Sequence, residues 1–336
     1  MVTIAQLAAI PFLDTSALTG RFLPSLAFHD DGWRLWTAAG ERGEMLIEIK
    51  GVPAEACYFA RQAEAAGDLN LPFFDFLAQR ANFMSLQRAF AGIQDDIFNL
   101  SGSLAKLALL EQSRDRVPHG ISRMATSEVE YIIMVLRSLL DLFQEVMMKL
   151  WDSIELIDGG AAKRKLKPSF ADMLTFKGAP SPADEIAQRF GLPMEIATCY
   201  DRGRGIFDGL KRLRDNLVHK GSQLPHIFGG EGPFVIALRD NPFPDLGIWE
   251  ETERQPNDLF PLLPVLEILI FRSLVICDEL SAGYQRVVQF PPPVAPGMAF
   301  FARGYFTGRI ADALVSGARR ANFQPMEPQP KAAAAS

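Results

Sequence analysis

The chain is 336 residues long, with 48% apolar and 22% charged residues, and its 40 acidic against 34 basic side chains leave a net charge of -6. This length allows one large domain or two ordinary ones, and the composition is that of a folded globular protein with short disordered ends. The acidic balance excludes a general nucleic-acid coat, so any site for a polyanion has to be local. Cys57, Cys199 and Cys277 are isolated in sequence, which suggests neither a disulfide framework nor a zinc site and fits a reducing, cytoplasmic compartment. Residues 1–13 carry no basic segment ahead of their apolar ones, unlike a signal peptide. The most apolar stretch, 259–277, is interrupted by Pro261, Pro264, Glu267 and Arg272. It reads as a buried core helix and not as a membrane span, which needs about 20 mostly apolar residues.

In chain order, the first 50 residues read as β. Residues 25–29 and 33–37 flank Asp30-Asp31-Gly32, a hairpin signal, and 44–50 alternate through Met45, Ile47 and Ile49 as a third strand. A short helix is expected over 54–66, then a loop around Gly67 and Pro72. From 83 to 112 the period turns helical, with Leu86, Phe90, Ile93, Ile97, Leu100, Leu104 and Leu107 on one side. After a break at Pro118, Ser127 with Glu130 three residues on forms a capping-box signature for a helix running to about 157. Its stripe through Ile132, Leu136, Leu139, Phe143, Val146 and Leu150 is wide enough to contact two or more partners.

Gly159-Gly160 ends that helix and a basic loop follows, Lys163-Arg164-Lys165-Leu166-Lys167. Residues 181–190 read as a short helix with Pro182 at its first position. The break at Gly191-Leu192-Pro193 leads into a long helix in which Ile206, Leu210, Leu213 and Leu217 share a face. Residues 234–238 and 248–251 read as strand and return strand, 262–287 as the last long helix and 305–314 as a short amphipathic segment. The resulting fold class is mainly α, an antiparallel helical bundle with a small accessory β-sheet, which the hairpin near 234–251 would extend. The division expected is a β-rich region over 1–80, a bundle over 81–290 with an insertion at 222–256, a C-terminal segment over 291–323 and a disordered tail over 324–336.

The stretch that reads as chemistry lies at the end of the third long helical segment, Arg214-Asp215-Asn216-Leu217-Val218-His219. An arginine, a polar residue, three others and a histidine resemble the motif of the HEPN superfamily, and the surrounding helices resemble its bundles more loosely. The resemblance implies a commonly dimeric helical domain and, in many members, a metal-independent endoribonuclease of toxin or phage-defence systems. Carried over by position, it implies Arg214, Asp215 and His219 as the catalytic set, assembled with a second subunit, with no cofactor and no metal. The chemistry suits those residue types. Attack by a ribose 2′-hydroxyl on phosphorus needs a base and an acid that titrate near neutral pH, as His does, and a guanidinium to hold the phosphate oxygens. Asp215, one helical turn before His219, would orient the ring. Arg204, Lys211, Arg212 and Lys220 on the same helix are the candidate RNA-phosphate contacts, so RNA and a second copy of the chain are the expected partners.

Two features stand against this reading. At about 100° per residue, Arg214 and His219 project roughly 140° apart, so one straight helix does not bring them together. His219 and Lys220 ahead of Gly221 also form an ordinary helix C-terminus, where cations meet exposed carbonyls. The competing function is therefore a non-catalytic dimerisation or interaction module whose basic helix docks an acidic protein partner. Other signals are weaker. Arg114 to His119 repeats the spacing across Pro118, His29-Asp30-Asp31 sits on a hairpin turn, and Gly203, Gly205 and Gly209 lack dinucleotide-binding spacing. The basic loop reads as a solvated surface, and Arg137 with Asp141 as an exposed pair.

Overall fold

The computed structural model describes residues 3–41, 43–117, 119–153, 163–220, 225–229 and 232–325, with the side chains of 216–220 outside that description. The chain is mainly α with small accessory sheets. The N-terminal part holds α1 (Ile4–Leu7), β1 (Ala27–His29), β2 (Trp33–Ala39), β3 (Met45–Ile49) and β4 (Ala56–Ala60). Helices α2 (Pro72–Gln79), α3 (Gln87–Gln112) and α4 (Ile121–Ser153) follow. Then come α5 (Phe170–Leu174), a hairpin of β5 (Thr175–Phe176) and β6 (Ala179–Pro180), α6 (Ala183–Phe190) and α7 (Met194–Lys220). The last part is β7 (Val235–Ala237), β8 (Leu259–Pro261), α8 (Leu263–Val287), β9 (Ala299–Arg303) and α9 (Thr307–Arg320).

The three expected N-terminal strands form, and the sheet runs in the order β3-β2-β1-β4-β9. Its completion differs from the sequence expectation. Residues 54–66 were expected to be helical, yet 56–60 form a strand parallel to β1 and antiparallel to β9, with Cys57, Tyr58, Phe59 and Ala60 all buried. A strand covered on both faces shows no alternation, so its alanines suggested a helix that tertiary packing overrides. The hairpin near 234–251 does not extend this sheet. β7 pairs with β8 in a separate ladder, and the strand that joins the N-terminal sheet is β9. In place of the return strand, Glu251–Glu253 forms a 3-10 turn, and the Trp249 indole donates to the Pro261 carbonyl at 2.8 Å.

Two helix starts also move. Pro72 occupies the first turn of α2 instead of a loop, the position at which its missing N–H costs nothing. The long fourth helix begins at Ile121, so Ser127 is interior and its hydroxyl donates back to the Arg123 carbonyl at 3.2 Å. Ile121 and Ala125, both buried, extend the apolar stripe one and a half turns ahead of Ser127. The expected end near 157 lies outside the described residues.

A file of phenylalanine rings ties sheet to bundle. Phe28 stacks on Phe59 at 5.4 Å, Phe59 meets Phe300 at 4.9 Å, Phe300 meets Phe74 at 5.2 Å, and Phe74 stacks on Phe90 of α3 at 4.8 Å. Each fully buried ring contributes about 1.5–3 kcal/mol, so sheet and bundle share one core. The wide apolar face of α4 is buried within the chain: Ile132, Leu136, Leu139, Phe143 and Val146 are fully covered where α4 packs on α3, α7 and α8. Its width therefore gives no reason to expect a dimer. Among the described residues no helix is long and apolar enough to cross a membrane.

Candidate functional site

Helix α7 starts after Pro193 and is held by its apolar face. Tyr200, Phe207 and Leu210 are fully buried, with Ile206 and Leu213 nearly so. The Arg137 guanidinium of α4 lies 4.1 Å from the Phe207 ring centroid and pairs with Asp141 at 2.5 Å; with Arg137 only 13% exposed, this is a packed contact and not a free surface pair. Arg214 and Asp215 lie just beyond Leu213 toward the end of this helix, both reaching solvent, and their side chains pair at 3.2 Å. Both are about half open to water, so they present a guanidinium and a carboxylate side by side. The helix backbone continues through His219 to Lys220. The side chains of His219 and Lys220 lie outside the described residues.

The remaining cations of α7 divide. Arg204 is 19% exposed and its fork is engaged by its own chain: it pairs with Asp201, donates to the Leu174 carbonyl at 2.9 Å and donates to the Ser181 carbonyl. That arrangement is a tie between α7 and the β5–β6 hairpin, and it leaves Arg204 poorly placed to grip a phosphate. Arg212 is exposed and donates to the Pro242 carbonyl at 2.7 Å. Lys211 is exposed, three residues before Arg214 and four before Asp215, and so shares their face.

Beside α7 a cleft of about 520 Å³ opens toward α8 and residues 242–246, where Gly203, Gly205 and Gly209 remove side chains from the helix surface. Phe243 fills the space over Gly209: a Cβ there would stand 2.2 Å from the ring. Arg202, Arg212 and Arg272 line this cleft together with Asp208, Asp245 and Glu279, so it carries no net charge to attract a polyanion.

A second cleft of about 520 Å³ lies between the basic loop, α5, the β5–β6 hairpin and the end of α6 and is lined by Lys165, Lys167, Asp172, Thr175, Phe176, Lys177, Arg189 and Phe190. Its basic loop is more than solvated surface, because Lys165 and Lys167 line the cleft. The missed signal was Phe176-Lys177-Gly178: Lys177 and Gly178 take left-handed backbone, φ 50 and 82, and make the two-residue turn that brings Phe176 and Lys177 toward that loop.

The other sequence candidates separate in space or find partners. Arg114 lies in the turn between α3 and α4, 5.1 Å from the Phe234 ring centroid and 3.8 Å from Glu111, and among the described residues no helix connects it to His119. His29 packs on Trp33 at 4.9 Å while Asp30 pairs with Arg61 at 2.8 Å. All three cysteines are buried; burial pushes the Cys57 thiol up to about 12 and the Cys199 and Cys277 thiols up as well. In comparison with known proteins, no family model, no curated protein and no solved structure matches the chain.

Proposed function

We propose that the chain is an HEPN-like endoribonuclease that cleaves RNA by attack of a ribose 2′-hydroxyl on the adjacent phosphorus. Arg214 anchors the phosphate and offsets its developing charge, His219 moves the proton as general base or acid, and Asp215 orients the histidine. The observation that carries this reading is the solvent-exposed Arg214–Asp215 pair near the end of a long helix that Tyr200, Phe207 and Leu210 anchor in the bundle. The roughly 140° between Arg214 and His219 calls for two copies of the chain, each supplying part of one cleft. Lys211, one turn before Arg214 and Asp215, extends the positive side of that surface.

The test is cleavage of a mixed RNA pool by the full chain in EDTA, with Arg214→Ala and His219→Ala alongside. Cleavage by the parent alone, leaving 2′,3′-cyclic phosphate ends, supports the assignment. Equal activity in all three preparations rejects it.

A specific surface favours the alternative, a non-catalytic interaction module. Met124, Tyr131 and Met134 are each more than 40% exposed on α4 and, at spacings of seven and three, share one face. Loss of self-association on Met134→Glu, together with inactivity of the parent on RNA, would favour that module.

A further inference from the structure

The cleft between the basic loop, α5, the β5–β6 hairpin and the end of α6 has a composition unlike the rest of this acidic chain. Lys165, Lys167, Lys177 and Arg189 line it against one carboxylate, Asp172, whose Oδ2 accepts from the Ser169 hydroxyl at 2.8 Å. The cations are of two kinds. Arg189 is fixed, donating to the carbonyls of Thr175 at 3.0 Å, Asp172 at 3.1 Å and Met173 at 2.8 Å, with Asp172 and Glu185 as the acidic groups near it. The three lysines are exposed, and among the described residues no carboxylate pairs with them. Phe176 stands in the cleft wall 46% exposed, with Lys177 Nζ 5.2 Å and the Arg189 guanidinium 5.3 Å from its ring centroid. The hairpin pairs through backbone, so the fold itself does not require an exposed ring there.

We infer that this cleft docks single-stranded RNA, with phosphates on Lys165, Lys167 and Lys177 and one base stacked on Phe176. An exposed ring among exposed lysines binds any splayed base and its flanking phosphates, whereas a duplex keeps its bases stacked away from the ring. The cations come from separate elements around an open cleft, which a strand can cross; a mononucleotide would meet few of them at once. The inference rests on the reading that the substrate is RNA, and not on the chemistry assigned to Arg214 and His219. Arg204 ties this hairpin to α7 ten residues before Arg214, about 15 Å along the helix, so a strand held here lies within a few nucleotides of that surface.

The test is fluorescence anisotropy of the full chain with a twelve-nucleotide 2′-O-methyl oligouridylate, which lacks the attacking hydroxyl and so reports binding whether or not the protein cleaves. The expected result is about tenfold weaker binding in Phe176→Ala, recovery in Phe176→Tyr, and weaker binding to a duplex of equal length. Each of Lys165→Ala, Lys167→Ala and Lys177→Ala should lower the slope of log affinity against log salt by about 0.7. Unchanged affinity in Phe176→Ala and in the triple lysine variant overturns the inference, as does absence of binding by the parent. Competition by uridine monophosphate at the same nucleotide concentration would instead make the cleft a mononucleotide pocket. Equal competition by polyglutamate, indifferent to Phe176, would make it a site for an acidic protein. Normal oligomer binding in Arg214→Ala and His219→Ala with no cleavage by the parent would reject the catalytic assignment alone.

Discussion

The Tyr200 hydroxyl donates a 2.6 Å hydrogen bond to Gln144 Oε1, and the Gln144 amide donates to the Lys167 carbonyl at 2.8 Å. Tyr200 and Gln144 are fully buried, so these bonds join α7 to α4, and α4 to the basic loop, inside the core. Tyr200→Phe removes the donor and leaves the Gln144 oxygen without it, a change expected to cost about 1–3 kcal/mol. Urea unfolding should show a lower midpoint with an unchanged slope. A midpoint equal to the parent's would mean that the pair contributes no net stability. Gln144→Leu in the same chain removes that oxygen but also deprives the Lys167 carbonyl of its donor, so it should recover little of the loss.

How much of this was legible in the sequence depends on what each element faces. Helices α3, α7 and α8 have one face in the core and were readable from their period, and the β1–β2 hairpin announced itself through Asp30-Asp31-Gly32. β4 was not readable: Tyr58 and Phe59 are covered on opposite faces by β-sheet neighbours and bundle residues far along the chain. β9 was hidden for the same reason, since its partner lies more than two hundred residues earlier. β3 showed true alternation, but Met45, Ile47 and Ile49 are the exposed set, on the sheet's edge strand. For the site, residue type marked Arg214 and Asp215, while the role of Arg204 depended on carbonyls from another part of the chain.

Glycines on α7 give opposite expectations according to what stands over them. At Gly209 a Cβ would meet Phe243 Cε1 at 2.2 Å, and at Gly205 it would meet open space. Gly209→Ala must displace the ring, with an expected loss of about 1–3 kcal/mol. Gly205→Ala should gain about 0.5–1 kcal/mol from reduced freedom of the unfolded chain. Thermal melting of the two variants should therefore bracket the parent, and a Gly209→Ala protein melting with Gly205→Ala would mean that Phe243 does not pack as seen.

Buried carboxylates make stability fall as pH rises through the mildly acidic range. Asp278 of α8 accepts from the Phe73 N–H at the start of α2, 2.8 Å away, and burial pushes its carboxyl up from 3.8 to about 6. Asp96 is raised to about 6 as well, again by burial. Each binds its proton more tightly folded than unfolded, so its contribution is fully present below about pH 4 and is lost as pH passes 6. The loss at Asp278 is on the order of 2 kcal/mol, using about 1.4 per pKa unit with allowance for partial exposure. Asp278→Asn keeps an oxygen for the Phe73 N–H and removes the titration. Its stability relative to the parent should rise between pH 4 and pH 7, and a difference constant across that range would show that Asp278 does not titrate as described.

Arg204 and Lys211 separate fold from function on the same helix. Arg204 bridges to the Leu174 and Ser181 carbonyls as well as to Asp201, whereas Lys211 stands exposed on the Arg214 face. Arg204→Ala deprives two carbonyls of a charged donor and should cost about 1–2 kcal/mol, the lower part of the range for charge-assisted bonds because the group is partly solvated. Arg204→Lys should recover little of that, since one ammonium lacks the planar fork that spans the carbonyls and Asp201 together. Lys211→Ala should leave the denaturation midpoint within about 0.5 kcal/mol of the parent and act instead on RNA affinity, through a shallower salt dependence. If Arg204→Ala kept full stability and lost RNA binding with the hairpin still in place, its guanidinium would belong to the ligand surface after all.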